Sequence, residues 1–389
     1  MNETIPNPFS NPFELRPAPP PAGGVPARIN FSGRRGDFWS LVSRGALLEL
    51  VTFGFYRFWL ATSMRRHLWS NTSVNGDAAE YTGTAKELLI GFLFAIAILA
   101  PIYLAAFLIG IEIENLREFA SSLLGIFFYL FAQFAIYRAR RYRLTRTIWR
   151  GVRFWMTGSG ISYAWRAALW ALLVGLTLGL ALPWQRAALE RYKMRHTAYG
   201  DLQGSFVATG GQFFKRGWWL WLLAWPSAIL VIPLPFIYAA FKAIEWRWWV
   251  SGVRLGDVRF ESDLPKGALI GVYWKVIGWS VLLSLALGAW VGIVVSIAAA
   301  GVDMSKPEEF IEAFAQKPWV VAAGAVGYLV IALAGGAVTR MYLIRDMWAK
   351  VALSITTHNL AAADNVVARG DAVSALGEGF ANSLDVAGI

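Results

Sequence analysis

The chain reads as an α-helical integral membrane protein: four transmembrane helices, two or three broken or re-entrant apolar segments, and repeated short cytoplasmic β-hairpins. Three observations carry that expectation. Of its 389 residues 57% are apolar and only 16% are charged, against a charged fraction of about 25% in soluble domains. Several segments exceed the roughly 20 apolar residues needed to cross about 30 Å of hydrocarbon. A junction pattern, in which an apolar helix ends in basic residues and runs into a glycine turn, recurs along the sequence.

Residues 1–30 hold half of the 16 prolines and no apolar core of a signal peptide, so they are expected to form a disordered Pro-rich tail. "NPF" occurs twice there, at Asn7–Phe9 and Asn11–Phe13, as an Asn/Pro-rich tail produces by chance. Residues 31–360 form the expected multi-span domain, with about 31–160 and 156–270 related to one another; residues 361–389 are read as a cytoplasmic tail, a helix and then a frayed end. Leu41–Ala61 carries Arg44, Glu49 and Arg57. At above 2 kcal/mol for each charge at mid-membrane, it is read as interfacial or re-entrant. Leu88–Ile109, Phe119–Tyr137, Val276–Val302 and Pro318–Thr339 are free of charge and are the four spans. Ala167–Gln185 and Gly217–Phe241 are long enough but broken by Pro183, Pro226, Pro233 and Pro235.

Lys and Arg concentrate on the cytoplasmic side of membrane proteins. Arg138–Arg166 contains eight arginines and no acid, and Gln185–Arg216 is also basic. The connections around Glu112–Glu118 and Asp303–Lys317 are acidic and should face outward. Ala167–Gln185 then separates two basic connections that both look internal. Either it dips in and returns, as Gly175, Gly179 and Pro183 allow, or the charge rule fails for one loop; the dip is preferred. Both termini are placed in the cytoplasm, at the inner membrane.

"TFGFYRFWLATSMRRHLWSNT" (Thr52–Thr72) returns as "TLGLALPWQRAALERYKMRHT" (Thr177–Thr197), sharing Thr52/Thr177, Gly54/Gly179, Trp59/Trp184, Arg66/Arg191 and Thr72/Thr197 without a gap. Thr72–Thr84 and Thr147–Ser159 then share Thr, Gly at +4 and Thr-Gly at +10 and +11. Alternating runs around a glycine turn predict β-hairpins. Looser versions follow at Thr197–Gly210, Val253–Leu264 and Trp348–Leu360. Isolated two-stranded hairpins are marginal in water, so these should share one cytoplasmic β layer beneath the helices.

"TFGFYRFW", "RRHLWSNTSVNG", "YTGTAKELLIGF" and the ending "GEGFANSLDVAGI" resemble the YjgN-like family of bacterial membrane proteins, domain of unknown function 898, over about residues 31 to 389. The family's Thr-Leu-Gly style motif has Phe53 in place of Leu in the first copy. The resemblance implies an uncharacterised multi-span inner-membrane protein and supplies no catalytic residues.

Arg65, Arg66, Arg138, Arg140, Arg141, Arg143 and Arg146 are the candidate contacts for anionic phospholipid headgroups; their plainer reading is topology and snorkelling. Nucleic acid is not expected despite a pI of 9.9, because the charge lies against apolar segments. Arg44, Glu49 and Arg57 are the candidate cavity. The 20 tryptophans cluster at apolar ends, as interfacial belts do. His67, His196 and His358 fall at non-equivalent positions in different repeats, there is no cysteine, and no phosphate loop or nucleophile motif occurs. No cofactor, metal or enzymatic activity is therefore expected. The expected function is non-catalytic binding of anionic lipid or a cytoplasmic partner through the arginine-rich face; the alternative is a small-molecule or lipid transporter using the Gly/Pro-broken segments.

Overall fold

Four two-residue turns organise the chain. In the computed structural model, which describes residues 26–112, 114–230, 233–300 and 317–370, Asn75 and Gly76 adopt φ of 53° and 93°, and Arg150 and Gly151 adopt 47° and 74°. Positive φ at both central residues matches the right-handed twist of the flanking strands, and Asn-Gly reaches it at least cost. Gly200 and Gly256, at φ 54° and 53°, open the other two turns. The resulting hairpins pair β2 (Thr72–Val74) with β3 (Asp77–Tyr81), β4 (Thr147–Trp149) with β5 (Val152–Met156), β6 (Thr197–Tyr199) with β7 (Leu202–Phe206), and β8 (Val253–Leu255) with β9 (Val258–Ser262). Each joins a three-residue strand to a five-residue one.

These hairpins do not form an open layer. β1 (Ala27–Phe31) and β10 (Ile355–His358) pair with each other, with β2 and with β9 respectively, and all ten strands close into an antiparallel barrel. The purely α-helical class is thereby corrected to helices joined to a closed β-barrel. Strands this short have little pairing energy each, and closure removes every exposed edge. Ala27–Asn30, assigned to the tail from their proline-rich surroundings, form a barrel strand together with Phe31. Trp348–Leu360 supplies one strand, not a hairpin, because its partner comes from the other end of the chain.

Alternate connections of an up-and-down barrel fall at opposite ends. The tight turns lie at one end, so the long connections all rise from the other. They are helical hairpins: α1 (Arg35–Val51) with α2 (Arg57–Ser70), α3 (Ala85–Glu112) with α4 (Glu114–Thr145), α5 (Gly160–Leu176) with α6 (Leu182–Arg195), α7 (Gly210–Leu230) with α8 (Leu234–Gly252), and α9 (Ile270–Ala298) followed by α10 (Pro318–Thr339). α10 continues through a π-helical stretch, Arg340–Asp346, into α11 (Met347–Leu353). Where helix meets barrel, one backbone hydrogen bond recurs five times: Ser32 to Asn71, Thr82 to Arg146, Thr157 to His196, Val207 to Gly252 and Asp263 to Ser354, all N–H to C=O at 2.8–3.0 Å.

The helical hairpins differ in length. Ala85–Ala105, Ser122–Thr145, Ile270–Ala298 and Pro318–Leu353 are long and apolar enough to cross a membrane. Between 11 and 22% of their apolar windows is buried, so most of that surface faces outward, as lipid contact requires and water would penalise. α1/α2 and α5/α6, of 17 and 14 residues each, are the short ones. The two copies of the repeated motif begin at their tips. Phe53 and Gly54 have φ of 52° and 85°, and Leu178 and Gly179 have 49° and 90°. Gly54 N–H donates to Glu49 O at 2.7 Å and Gly179 N–H to Val174 O at 2.8 Å, the left-handed helix stop that glycine favours. Thr52 and Thr177 each accept from the N–H four residues on, at 2.9 and 3.1 Å, and so start the returning helix. Ala167–Gln185 thus leaves the barrel and comes back to it. Phe53, 94% exposed, and Leu178, 65% exposed, crown the two tips.

The barrel lumen is packed. Trp149, Tyr199 and Val258 from three strands form one buried cluster with Ala363 of the 3₁₀ turn Leu360–Ala363. That turn and the residues up to Gly370 cover the tight-turn end, where Arg150 bonds Asp364 at 2.7 Å and Val367 N–H donates to Asp201 at 3.1 Å. Residues 361–370 are therefore not the soluble helix expected for them. The NPF tripeptides, the Asp303–Glu312 connection and residues 371–389 lie outside the described residues, as do the side chains of Glu112, Glu114 and Glu118.

Candidate axial anion site

The helices that run down into the barrel (α2, α4, α6, α8 and α11) meet around a cavity of about 420 Å³ at the helix–barrel junction. Arg140, Arg143, Arg186, Lys242, Glu190 and Glu245 line it together with Trp69, Trp246, Trp248, Trp249 and Trp348. Every one of the five repeats contributes. Helical spacing makes this possible: Arg140 and Arg143 are one turn apart on α4, and Lys242, Glu245 and Trp249 follow one face of α8.

Each carboxylate is shared between two cations. Glu190 accepts from Arg140 at 3.1 Å and pairs with Lys193 one turn on. Glu245 accepts from Lys242 at 2.7 Å and faces Arg186 at 3.4 Å. Burial alone would raise the Glu190 carboxyl, but Lys193 and Arg140, helped by a hydrogen bond from Trp249, more than reverse this and hold it at about 2. Glu190 and Glu245 thus stand among Arg140, Lys193, Lys242 and Arg186, and Arg143 lines the cavity beside them.

The tryptophans fix the wall. Trp69 Nε1 donates to Thr147 Oγ1 at 3.0 Å and Trp348 Nε1 to Thr72 Oγ1 at 2.9 Å, and the two indoles stack with centroids 4.9 Å apart. Their hydrogen bonds tie each helix to the strand of the neighbouring repeat.

Of the arginines predicted to meet headgroups, only Arg140 and Arg143 line this cavity. Arg65 is buried against Tyr81, to whose hydroxyl it donates at 3.3 Å. Arg66 donates to Gly83 O at 2.9 Å, and Arg146 to Glu87 at 2.5 Å. Arg138 and Arg141 follow on the same helix, part-buried, Arg141 with an unpartnered buried Nε. Of the second trio, Glu49 and Arg57 lie near enough to interact electrostatically, and Arg44 stands apart. Glu49 is buried and takes a bidentate pair from Arg340 at 2.9 and 3.0 Å. Arg44 lines a separate hollow with Asp37 and Tyr56, and Arg57 lies over the rings of Phe58 and Phe92.

Sequence reasoning missed Glu190, Lys193, Arg186, Lys242 and Glu245. The i,i+3 pairs Glu190/Lys193 and Lys242/Glu245 were a visible signal, but nothing local says that α6 and α8 face one axis. Among the described residues no cluster of three or more metal-ligating side chains occurs. His67, His196 and His358 sit in three different repeats, beside Phe38, Tyr192 and Glu261 respectively.

Helical hairpins with four candidate spans, raised from one end of a closed barrel around a charged axial cavity, define a membrane protein built from a repeated helix–hairpin–helix unit. The chain belongs to the family described as bacterial protein of unknown function (DUF898), whose sequence model matches residues 26–245, from before β1 into α8. The match stops short of the last repeats, which the resemblance had included. No curated protein and no solved structure matches the chain.

Proposed function

We propose that the protein is a non-catalytic inner-membrane protein that holds an anionic ligand in the axial cavity, with the barrel and both chain ends on the cytoplasmic side. The carrying observation is the convergence of Arg140, Arg143, Arg186 and Lys242 on one cavity walled by tryptophan. A phosphate-bearing group suits such a wall: arginines bind its oxygens bidentately, and indole faces accept an adjoining apolar part. The orientation is supported by the arginines gathered at the helix–barrel junction. Transport along the axis finds less support, since Trp149, Tyr199 and Val258 fill the lumen below the cavity.

The test is to purify the full chain in mild detergent and identify retained anions by native mass spectrometry. Inorganic phosphate and a short-chain phosphatidylglycerol are then added back in separate arms. Wild type should retain one anion, and Arg143→Gln with Lys242→Gln should lose most of it. Equal retention by both proteins would refute the reading. Single cysteines at Ser73 and Ser205 should label from the same, cytoplasmic, side.

A further inference from the structure

A second cavity, of about 840 Å³, lies away from the axis between α1, α9 and α10. Its walls are apolar along most of their length, lined by the part-buried Leu283 and Leu333 and by the exposed Leu47, Leu50, Trp39 and Trp279. At the barrel end the chemistry changes. The Arg35 guanidinium lies 5.0 Å from the centre of the Tyr342 ring and the Lys275 ammonium 6.0 Å from the same ring, so two cations flank one phenol at the mouth. Arg35 also meets Asp346 at 3.1 Å, a carboxylate already held by Arg345 at 2.7 Å. Lys275 has no carboxylate partner among the described residues. Arg35 and Arg345 therefore share one acid, and Lys275 stands across the Tyr342 ring from Arg35 without one.

Two further features bear on the occupant. α1 spans 17 residues and α9 spans 29, about 25 Å against about 43 Å. The groove is thus roofed on the α1 side only over its lower part, and above the tip of α1 it opens onto faces of α9 and α10 that look outward. A ligand can enter sideways from the bilayer. The wall at the cationic end is the π-helical stretch Arg340–Asp346, which turns both Met341 and Tyr342 toward the groove. π-Segments carry a strain cost and recur at functional sites. The other short hairpin provides an internal comparison: the groove by its tip, against α7 and α8, is apolar and lined by no charged residue, and the cation nearest a lining ring, Lys242 at 5.7 Å from Tyr238, is already paired with Glu245.

We propose that the groove between α1 and the α9/α10 pair seats one anionic phospholipid drawn from the membrane, its phosphate between Arg35 and Lys275 and one acyl chain along Trp39, Trp279 and Leu283. Neither cation lines the axial cavity, so the seat stands or falls separately from the axial site. The layout, charge at the barrel end and grease toward the bilayer, matches a lipid whose headgroup lies at the level of the helix–barrel junction.

The test reconstitutes the full chain in nanodiscs of phosphatidylcholine doped with phosphatidylglycerol bearing a photoactivatable acyl chain, and maps adducts by mass spectrometry. Adducts should concentrate on Trp39, Trp279 and Leu283. Arg35→Gln and Lys275→Gln should each lower them about fivefold, the share of one basic residue at an anionic headgroup. Ala334→Phe, which fills the groove and keeps both cations, should abolish them. A photoactivatable phosphatidylcholine should label this groove no more than the one beside Trp218. Adducts spread evenly around the helices, no preference for the anionic lipid, or labelling unchanged in the charge variants and in Ala334→Phe would overturn the proposal. Altered circular dichroism or a loss of the adducts beside Trp218 identifies a charge variant that has merely misfolded, and Ala334→Phe then decides.

Discussion

Glu190 offers the sharpest test of how the axial site is held together. Replacing it by Gln keeps size and one acceptor oxygen but removes the charge that Arg140 and Lys193 share and turns an N–H donor toward one of them. Its carboxyl is depressed from 4.5 to about 2, which at about 1.36 kcal/mol for each pKa unit corresponds to roughly 3 kcal/mol. The sign follows from linkage. A carboxyl more acidic in the folded than in the unfolded chain stabilises the fold fully above its unfolded pKa, and that contribution drains away as pH falls through the folded value. At neutral pH, Glu190→Gln should therefore unfold more easily, by at most roughly 3 kcal/mol, because burial pushes the partner Lys193 toward its neutral form and offsets part of the gain. Between about pH 4.5 and about pH 2 the wild type should lose this advantage and its curve should approach the variant's. The assay is thermal unfolding in detergent followed by circular dichroism across that range. Equal stability at neutral pH, or a gap that persists undiminished in acid, would refute the claim that Lys193 and Arg140 together outweigh the burial of this carboxylate.

Two further outcomes follow from the helical hairpins. Glu49→Ala should destabilise by on the order of 3 kcal/mol, since it strands Arg340 against apolar walls, while Glu49→Leu combined with Arg340→Met should recover most of the loss in the same unfolding assay. Gly179→Ala should cost about 1 kcal/mol because φ is +90° there, whereas Gly175→Ala, in the helix with open space around it, should gain up to about 1 kcal/mol; equal effects would show that the tip is not held left-handed.

Local physics was legible in the sequence wherever one segment carried its own instructions. Pro318–Thr339 was read to the residue, because an apolar run begun by proline needs no partner to declare itself. Thr52–Gly54 and Thr177–Gly179 announced a break through spacing, and Thr72–Gly76 and Thr147–Gly151 announced turns. What those segments join to was not legible. Closing the barrel depends on Arg28 pairing with Thr356, an encounter between the two ends of the chain that no periodicity records, and a five-residue strand in a proline-rich neighbourhood looks like tail.

The arginines show the same division. Composition and position along the chain determined that basic residues gather where helices end, and that the protein is a membrane protein with repeated junctions. Whether a given arginine meets Glu87, Glu190 or a tyrosine hydroxyl depends on which neighbour the closed ring sets beside it. Only the tertiary structure could turn α4, α6 and α8 to one axis, so that charges scattered over a hundred residues surround one cavity, because side-chain direction there is set by ring closure and not by local sequence.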